Sequence, residues 1–167
     1  MKVLRKLLIL SFLNTFAFVA LVHAEDKQEC ADFAKDQCMV TLAWSSLTQW
    51  ADAWSNQDYK SYISSYSETF LPPKGKSRSQ WLSERKRALS GAAKIKISLH
   101  MLDVQYLNDQ TARATVIQRY TAPHYSDIVL KTFGLGLQNG QVKIQSEQVD
   151  RSLTPSEADA IINDFGY

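Results

Sequence analysis

The chain has 167 residues, 45% of them hydrophobic and 22% charged, with a net charge of +2. That composition fits one ordinary globular domain and excludes a disordered tail, a collagen-like chain or a repeat array. Lys2, Arg5 and Lys6 precede an uncharged run from Leu7 to Ala24. The run ends in Val22-His23-Ala24, a small-x-small pattern ahead of Glu25 and Asp26, so residues 1–24 are expected to be a signal peptide cleaved after Ala24. A retained membrane anchor would fit the length but not Ser11, Asn14 and Thr15. On this reading no stable membrane span is left after cleavage, and the protein is periplasmic or secreted.

Without the leader's three basic residues, 16 basic side chains face 17 acidic ones, a net charge of −1. The basic excess thus belongs to the leader and points to no nucleic-acid partner. Both cysteines, Cys30 and Cys38, lie in an N-terminal extension over residues 25–39. An oxidising compartment favours a disulfide, although continuous helix would hold the two about 12 Å apart, so a bridge needs a turn between them. Free or intermolecular thiols are the alternative. His100 and His124 are far apart in sequence, and no metal site or cofactor is expected.

Val40, Ala43, Trp44, Leu47, Trp50, Ala51 and Trp54 recur at threes and fours. This spacing predicts an amphipathic helix to Asn56 with three deeply packed tryptophans. A second short helix is expected from Asp58, its N-cap, through Tyr59, Tyr62, Ile63 and Tyr66, ending before Leu71-Pro72-Pro73-Lys74-Gly75, where regular structure is not expected. Ser77-x-x-Gln80 is a capping-box pattern opening a third helix over Trp81, Leu82, Arg85 and Leu89, which stops near Gly91.

Everything up to Gly91 thus reads as helical, and everything after it alternates. Ile95, Ile97, Leu99 and Met101 keep period two, and Leu102, Val104 and Tyr106 keep it in the opposite phase, which predicts a bulge. Strands follow at about Thr111 to Thr121, Tyr125 to Leu137 and Gln141 to Asp150. Asn139-Gly140 suits a type I′ turn and sets Leu137 opposite Val142 and Leu135 opposite Ile144. A two-residue loop at Pro123-His124 sets Tyr120 opposite Asp127 and Gln118 opposite Val129. A three-residue loop at Asn108-Asp109-Gln110 sets Tyr106 opposite Ala112. Thr154-Pro155-Ser156-Glu157 begins a short C-terminal helix within a tail over residues 151–167.

Three helices ahead of a bulged, bent antiparallel sheet give an α+β domain over residues 40–150, with the element order of the cone-shaped nuclear transport factor 2-like (SnoaL-like) fold. Trp50-Ala51-Asp52-Ala53-Trp54-Ser55-Asn56-Gln57-Asp58, then Tyr62, Tyr66 and Phe70, resembles the opening of the domain appended to bacterial YkuD-type L,D-transpeptidases. So do Ser77-Arg78-x-x-Trp81-x-x-x-Arg85, Gln118-x-Tyr120, Tyr125-Ser126-Asp127-x-x-x-Lys131 and Val142-Lys143-Ile144-x-x-Glu147. The resemblance implies an exported, non-catalytic accessory domain of the cell envelope, because Cys30 and Cys38 match no nucleophile motif of those enzymes. Ketosteroid isomerase shares the fold, but its catalytic tyrosine position falls near Trp50 and its general base near Lys74. Neither residue can serve in those roles.

The strand registers place Gln118, Tyr120, Asp127 and Lys131 on the face that carries Val116, Val129, Phe133, Leu135 and Ile144. These four form a candidate ligand pocket, together with Tyr62, Tyr66, Trp54 and Trp81, which could equally be plain core. The alternative for the polar four is a structural ion pair of Asp127 with Lys131. A small enzyme using Asp127 is the rival function. Glu147 counts onto the opposite face unless a bulge intervenes, and His100 is expected to be a satisfied strand residue. Lys74, Lys76, Arg78, Arg85, Lys86, Arg87, Lys94 and Lys96, with Glu84 the only acid among them, form a basic patch or simply a solvated helix face. The expected partners are a small ligand or an envelope protein. A homodimer through the sheet's outer face is also possible, where Ile117 and Ile128 lie beside Arg113, Arg119 and Lys143.

Overall fold

The structure, a computed structural model, describes residues 35–91 and 94–165. The leader and Cys30, and with it the expected bridge to Cys38, lie outside the described residues. The chain divides into two compact units at Cys38 and Met39, and the fold set out here is that of the second.

Helix α1 runs over Lys35–Ser55, starting before the Val40 that the apolar stripe predicts. Its buried side is Met39, Ala43, Leu47 and Trp50, with Trp54 half-buried. Val40 and Trp44 are 41% and 40% exposed, which corrects the expectation that all three tryptophans are packed. They lie one step round the helix from the buried row, on the side facing water. The helix stops because Gln57 takes a left-handed φ of 58°. The Asp58 N–H then reaches the Ala53 carbonyl at 2.9 Å and the Gln57 N–H reaches that of Trp54 at 3.0 Å, a Schellman ending made without glycine.

Helix α2 occupies Tyr59–Ser64, with Asp58 as its N-cap accepting from the Ser61 N–H at 3.1 Å. The expected continuation of this helix through Tyr66 does not occur. Tyr66–Leu71 is strand β1, followed by a 3-10 turn at Pro73–Gly75 where only irregular chain was expected. Tyr62, Tyr66 and Phe70 stand four apart, so aromatic spacing alone mimics a helix across the break at Ser65. Helix α3, Arg78–Leu89, opens with the expected capping box between Ser77 and Gln80.

Strands β2 (Lys96–Asn108), β3 (Thr111–Ala122), β4 (Tyr125–Gln138) and β5 (Gln141–Ser152) form an antiparallel meander. The sheet order is β1-β5-β4-β3-β2, and β1 pairs with β5 in parallel, an addition to the antiparallel sheet that the sequence predicts. The expected hairpin pairs are present: Tyr106 with Ala112, Tyr120 with Asp127, Gln118 with Val129 and Leu137 with Val142. Asn139 and Gly140 have φ of 53° and 75°, as a type I′ turn requires. The bulge in β2 falls at Leu102, between the pairs Met101–Val116 and Asp103–Thr115.

The sheet curls around the helices, and its concave side holds the main core of Leu47, Trp50, Tyr62, Trp81, Phe133 and Ile144. Helix α4, Pro155–Phe165, packs on the other side of the sheet. It is capped by Thr154, whose N–H and hydroxyl both meet the Glu157 carboxylate, at 2.7 and 2.8 Å. Leu153, Ala158, Ile161 and Ile162 cover Leu102, Ile117, Ile128 and Leu130. The apolar residues read as support for a homodimer face are therefore covered by the chain's own C-terminal helix. His100 sits beside Ile117 on this side, with its Nε2 buried and without a partner among the described residues, contrary to the expectation of a satisfied side chain.

Candidate functional site

The predicted pocket residues divide into an interior group and a rim group. In the interior, Gln118 and Lys131 are each 5% exposed, and the Lys131 Nζ lies 3.4 Å from the Gln118 Oε1. The partner of Lys131 is not Asp127. It is Glu147, whose Oε2 stands 2.8 Å from the ammonium.

Glu147 reaches the interior through a bulge in β5. Ile144 pairs with Leu135 and Ser146 with Gly134, which leaves Gln145 as an extra residue and brings Glu147 opposite the inward-facing Phe133. Two glycines in β4 leave room for the bulge's side chains. A Cβ on Gly134 would stand 2.5 Å from the Ser146 Oγ, and one on Gly136 would collide with the Gln145 carboxamide. The reading of Glu147 as a surface residue is thus overturned by one inserted residue. Glycines inside a strand were the available signal.

The Lys131–Glu147 pair is enclosed, with side-chain exposures of 6% and 10%. The ammonium lies 4.9 Å from the Trp50 ring centre, 4.8 Å from that of Phe133 and 6.0 Å from that of Trp54, within cation–π range. Next to it the Trp50 indole N–H donates to the Tyr66 hydroxyl at 2.8 Å, and the Tyr66 hydroxyl donates to that of Tyr62 at 2.8 Å. Burial above all, and then the negative Glu147, pushes both tyrosines well above their ordinary value of 10.0, so neither supplies a phenolate near neutral pH. Trp81 packs against Tyr66 with ring centres 4.7 Å apart, and the Arg85 guanidinium faces Tyr62 from the same side of α3. Trp81 Nε1 and Arg85 Nε are buried without an acceptor among the described residues.

Trp54, Tyr120 and Asp127 form the rim group, joined by Tyr125. Tyr120 lies between Trp54 and Tyr125 in tilted contact, with ring centres 5.9 and 5.8 Å away. Asp127 accepts from the Tyr125 hydroxyl at 2.9 Å, and that bond holds the tyrosine above its usual range. This replaces the expected Asp127–Lys131 pair. The interior therefore holds a charge pair beside the hydrogen-bonded Trp50–Tyr66–Tyr62 chain, surrounded by aromatic rings, and one oxygen of the rim carboxylate is engaged by a phenol.

The basic patch is partly structural. Lys76 pairs with Glu84 at 2.5 Å, the Arg78 Nη1 donates to the Ser67 carbonyl at 2.9 Å, and Arg85 turns inward. Lys86 and Arg87 are exposed in the last turn of α3, where positive charge suits the helix dipole. No sequence motif flagged a groove of about 340 Å³ outside the cone. It is lined by Leu42, Ser45, Ser46 and Gln49 of α1, by Ser61, Ser64 and Ser65 at α2, and by Gly140, Gln141, Val142 and Lys143.

Residues 42–148 match the sequence profile of the Cds6 C-terminal NTF2-like domain. Bd1075 of Bdellovibrio bacteriovorus is similar at 26% identity and a TM-score of 0.57, over 65% of this chain and 38% of that one. A variant of the helical cell shape determining protein Pgp2 from Campylobacter jejuni is similar at 24% and 0.55, over 62% of this chain and 38% of that one. A ketosteroid isomerase-like protein from Erwinia carotovora atroseptica shares the fold at 11% and 0.55, over 69% of this chain and 96% of its own. The chain thus spans well under half the length of the first two. A search of curated proteins found no match.

Proposed function

The chain belongs to the family of the Cds6 C-terminal NTF2-like domain, and from that premise we propose that it is an exported, non-catalytic binding domain of the bacterial cell envelope, akin to the domain appended to YkuD-type transpeptidases. The observation that carries this reading is the buried Lys131–Glu147 pair. A general base must be free to take a substrate proton. Here the interior carboxylate is bound to an ammonium, and Trp50, Trp54 and Phe133 enclose that ammonium. A small ligand or a protein partner is then met at the rim and on the outer walls of the cone. The leader pattern over residues 1–24 supports export. Pgp2 is described as a helical cell shape determining protein.

The rival is a small SnoaL-like enzyme. It is favoured by two buried carboxylate oxygens without a hydrogen-bond partner among the described residues, the Asp127 Oδ1 and the Glu147 Oε2 that faces the Lys131 ammonium. One measurement tests export and a second separates the binding reading from the enzyme. Mass spectrometry of the chain recovered from the periplasm should show a first residue of Glu25, and recovery of uncleaved chain from the cytoplasm contradicts export. A thermal-shift screen with aromatic and steroid-like acids should show no stabilisation, whereas a shift abolished by Asp127→Asn together with turnover of the acid that causes it would establish the enzyme reading.

A further inference from the structure

We propose that the groove between α1, α2 and the β4–β5 turn binds an uncharged carbohydrate, a reading that builds on the binding role proposed above by naming its ligand class. The groove's volume of about 340 Å³ falls at the lower end of small-ligand clefts, roughly 300–1,000 Å³. Three separate elements build it, and cross-links hold them in place. Ser46 Oγ donates to the Val142 carbonyl at 2.9 Å, tying α1 to β5, and Lys143 Nζ donates to the Ser64 carbonyl at 2.8 Å, tying β5 to α2. The Asn139-Gly140 turn is itself fixed by its two positive φ angles.

The chemistry of the lining selects the ligand. Among the described residues five serines and two glutamines line it: Ser46, Ser61, Ser64 and Ser65 already donate to the Val142 carbonyl, the Asp58 carboxylate and the Ser61 carbonyl and so present acceptor oxygens, while the Ser45 hydroxyl and the Gln49 and Gln141 carboxamides can both donate and accept. Leu42 and Val142 supply an apolar floor. Sugars present the same combination, with hydroxyls around the ring edge and C–H groups on the ring face. Among the described residues the lining carries no carboxylate and one cation, Lys143, which is already bound to Ser64, so an ionic ligand meets no unengaged counter-charge among them. An extended peptide finds little backbone to pair with here, because β1 meets β5 at Ile144 and Ser146 and the Val142 carbonyl is taken by the Ser46 hydroxyl.

The test is calorimetry with chitotetraose and maltotetraose on the chain recovered from the periplasm. Saturable binding of either is expected, with affinity changing less than about twofold between roughly 50 and 500 mM salt, since no charge is neutralised. Ser45→Trp, at an exposed helix position, should fill the groove and weaken binding more than about tenfold. Gln141→Ala in the exposed turn should weaken it without affecting the fold, and so serves if Ser45→Trp unfolds. Lys86→Ala with Arg87→Ala should leave affinity unchanged. Absence of binding by both sugars, or binding indifferent to Ser45→Trp and Gln141→Ala, overturns the assignment. So does binding that collapses with salt or on loss of Lys86 and Arg87, which would mark a polyanion site instead. A chain that binds sugar but stays in the cytoplasm would contradict export alone, and an exported chain that binds none would contradict the groove alone.

Discussion

Replacing Glu147 by glutamine removes the counter-charge of Lys131 and keeps the shape of the side chain. The ammonium then remains 5% exposed among Trp50, Phe133 and Trp54. Removing one member of a buried ion pair costs about 3–5 kcal/mol because the other charge is left uncompensated. The three rings and the glutamine carbonyl offset part of that, at about 0.5–2 kcal/mol for cation–π contact. A net loss of about 2–3 kcal/mol is expected, a large share of the roughly 5–15 kcal/mol that holds a domain of this kind together. At about 2–4 °C per kcal/mol the midpoint should fall by roughly 4–12 °C. Urea unfolding followed by tryptophan fluorescence measures the loss, and Lys131→Met combined with Glu147→Gln should recover most of it because no charge is then stranded. Asp127→Asn should cost under about 1 kcal/mol, as it loses one exposed phenol contact. If Glu147→Gln is neutral while Asp127→Asn costs several kcal/mol, the inward placement of Glu147 is wrong.

The buried tyrosines make a pH prediction. Folding raises the values of Tyr62 and Tyr66 above 10.0, so their contribution is complete below the unfolded value and is lost as pH rises through the folded one. Stability should fall from about pH 10 upward, and in Tyr62→Phe with Tyr66→Phe that alkaline loss should shrink; an unchanged alkaline limb contradicts the burial argument. Cutting the chain after Leu153 removes α4 and uncovers Ile117, Ile128 and Leu130. Loss of its two half-buried isoleucines should cost roughly 2–4 kcal/mol and produce concentration-dependent self-association in light scattering. A monomeric truncation of unchanged stability would show that α4 covers nothing of consequence.

Hairpin registers were legible because they rest on local rules. Turn type fixes loop length, and alternation fixes which face is apolar, so Tyr120–Asp127 and Leu137–Val142 could be paired from sequence. The Leu102 bulge was legible as a change of phase between apolar residues on either side. The β5 bulge was not, because Gln145, Ser146, Glu147 and Gln148 are all polar and carry no phase to break. Its trace lay in the partner strand, at Gly134 and Gly136. Strand β1 was hidden by Tyr62, Tyr66 and Phe70, since successive ring contacts inside the cone and one face of a helix ask for the same spacing. The cover over Ile117 and Ile128 was hidden because a helix's docking face depends on tertiary contact, which its own sequence does not specify.

The proposed binding role requires the cone's interior to be architecture, closed to small molecules. Nitrogen-15 spectra of the four tryptophan indole N–H groups test it most directly. Trp50 Nε1 is bonded to Tyr66 and Trp81 is 1% exposed, whereas Trp44 is 40% exposed. The Trp50 and Trp81 indole protons should exchange slowly with solvent and keep their shifts when aromatic or steroid-like acids are added, while Trp44 exchanges fast. Saturable movement of the Trp50 or Trp81 signal by such an acid would contradict the account and make the interior a working pocket.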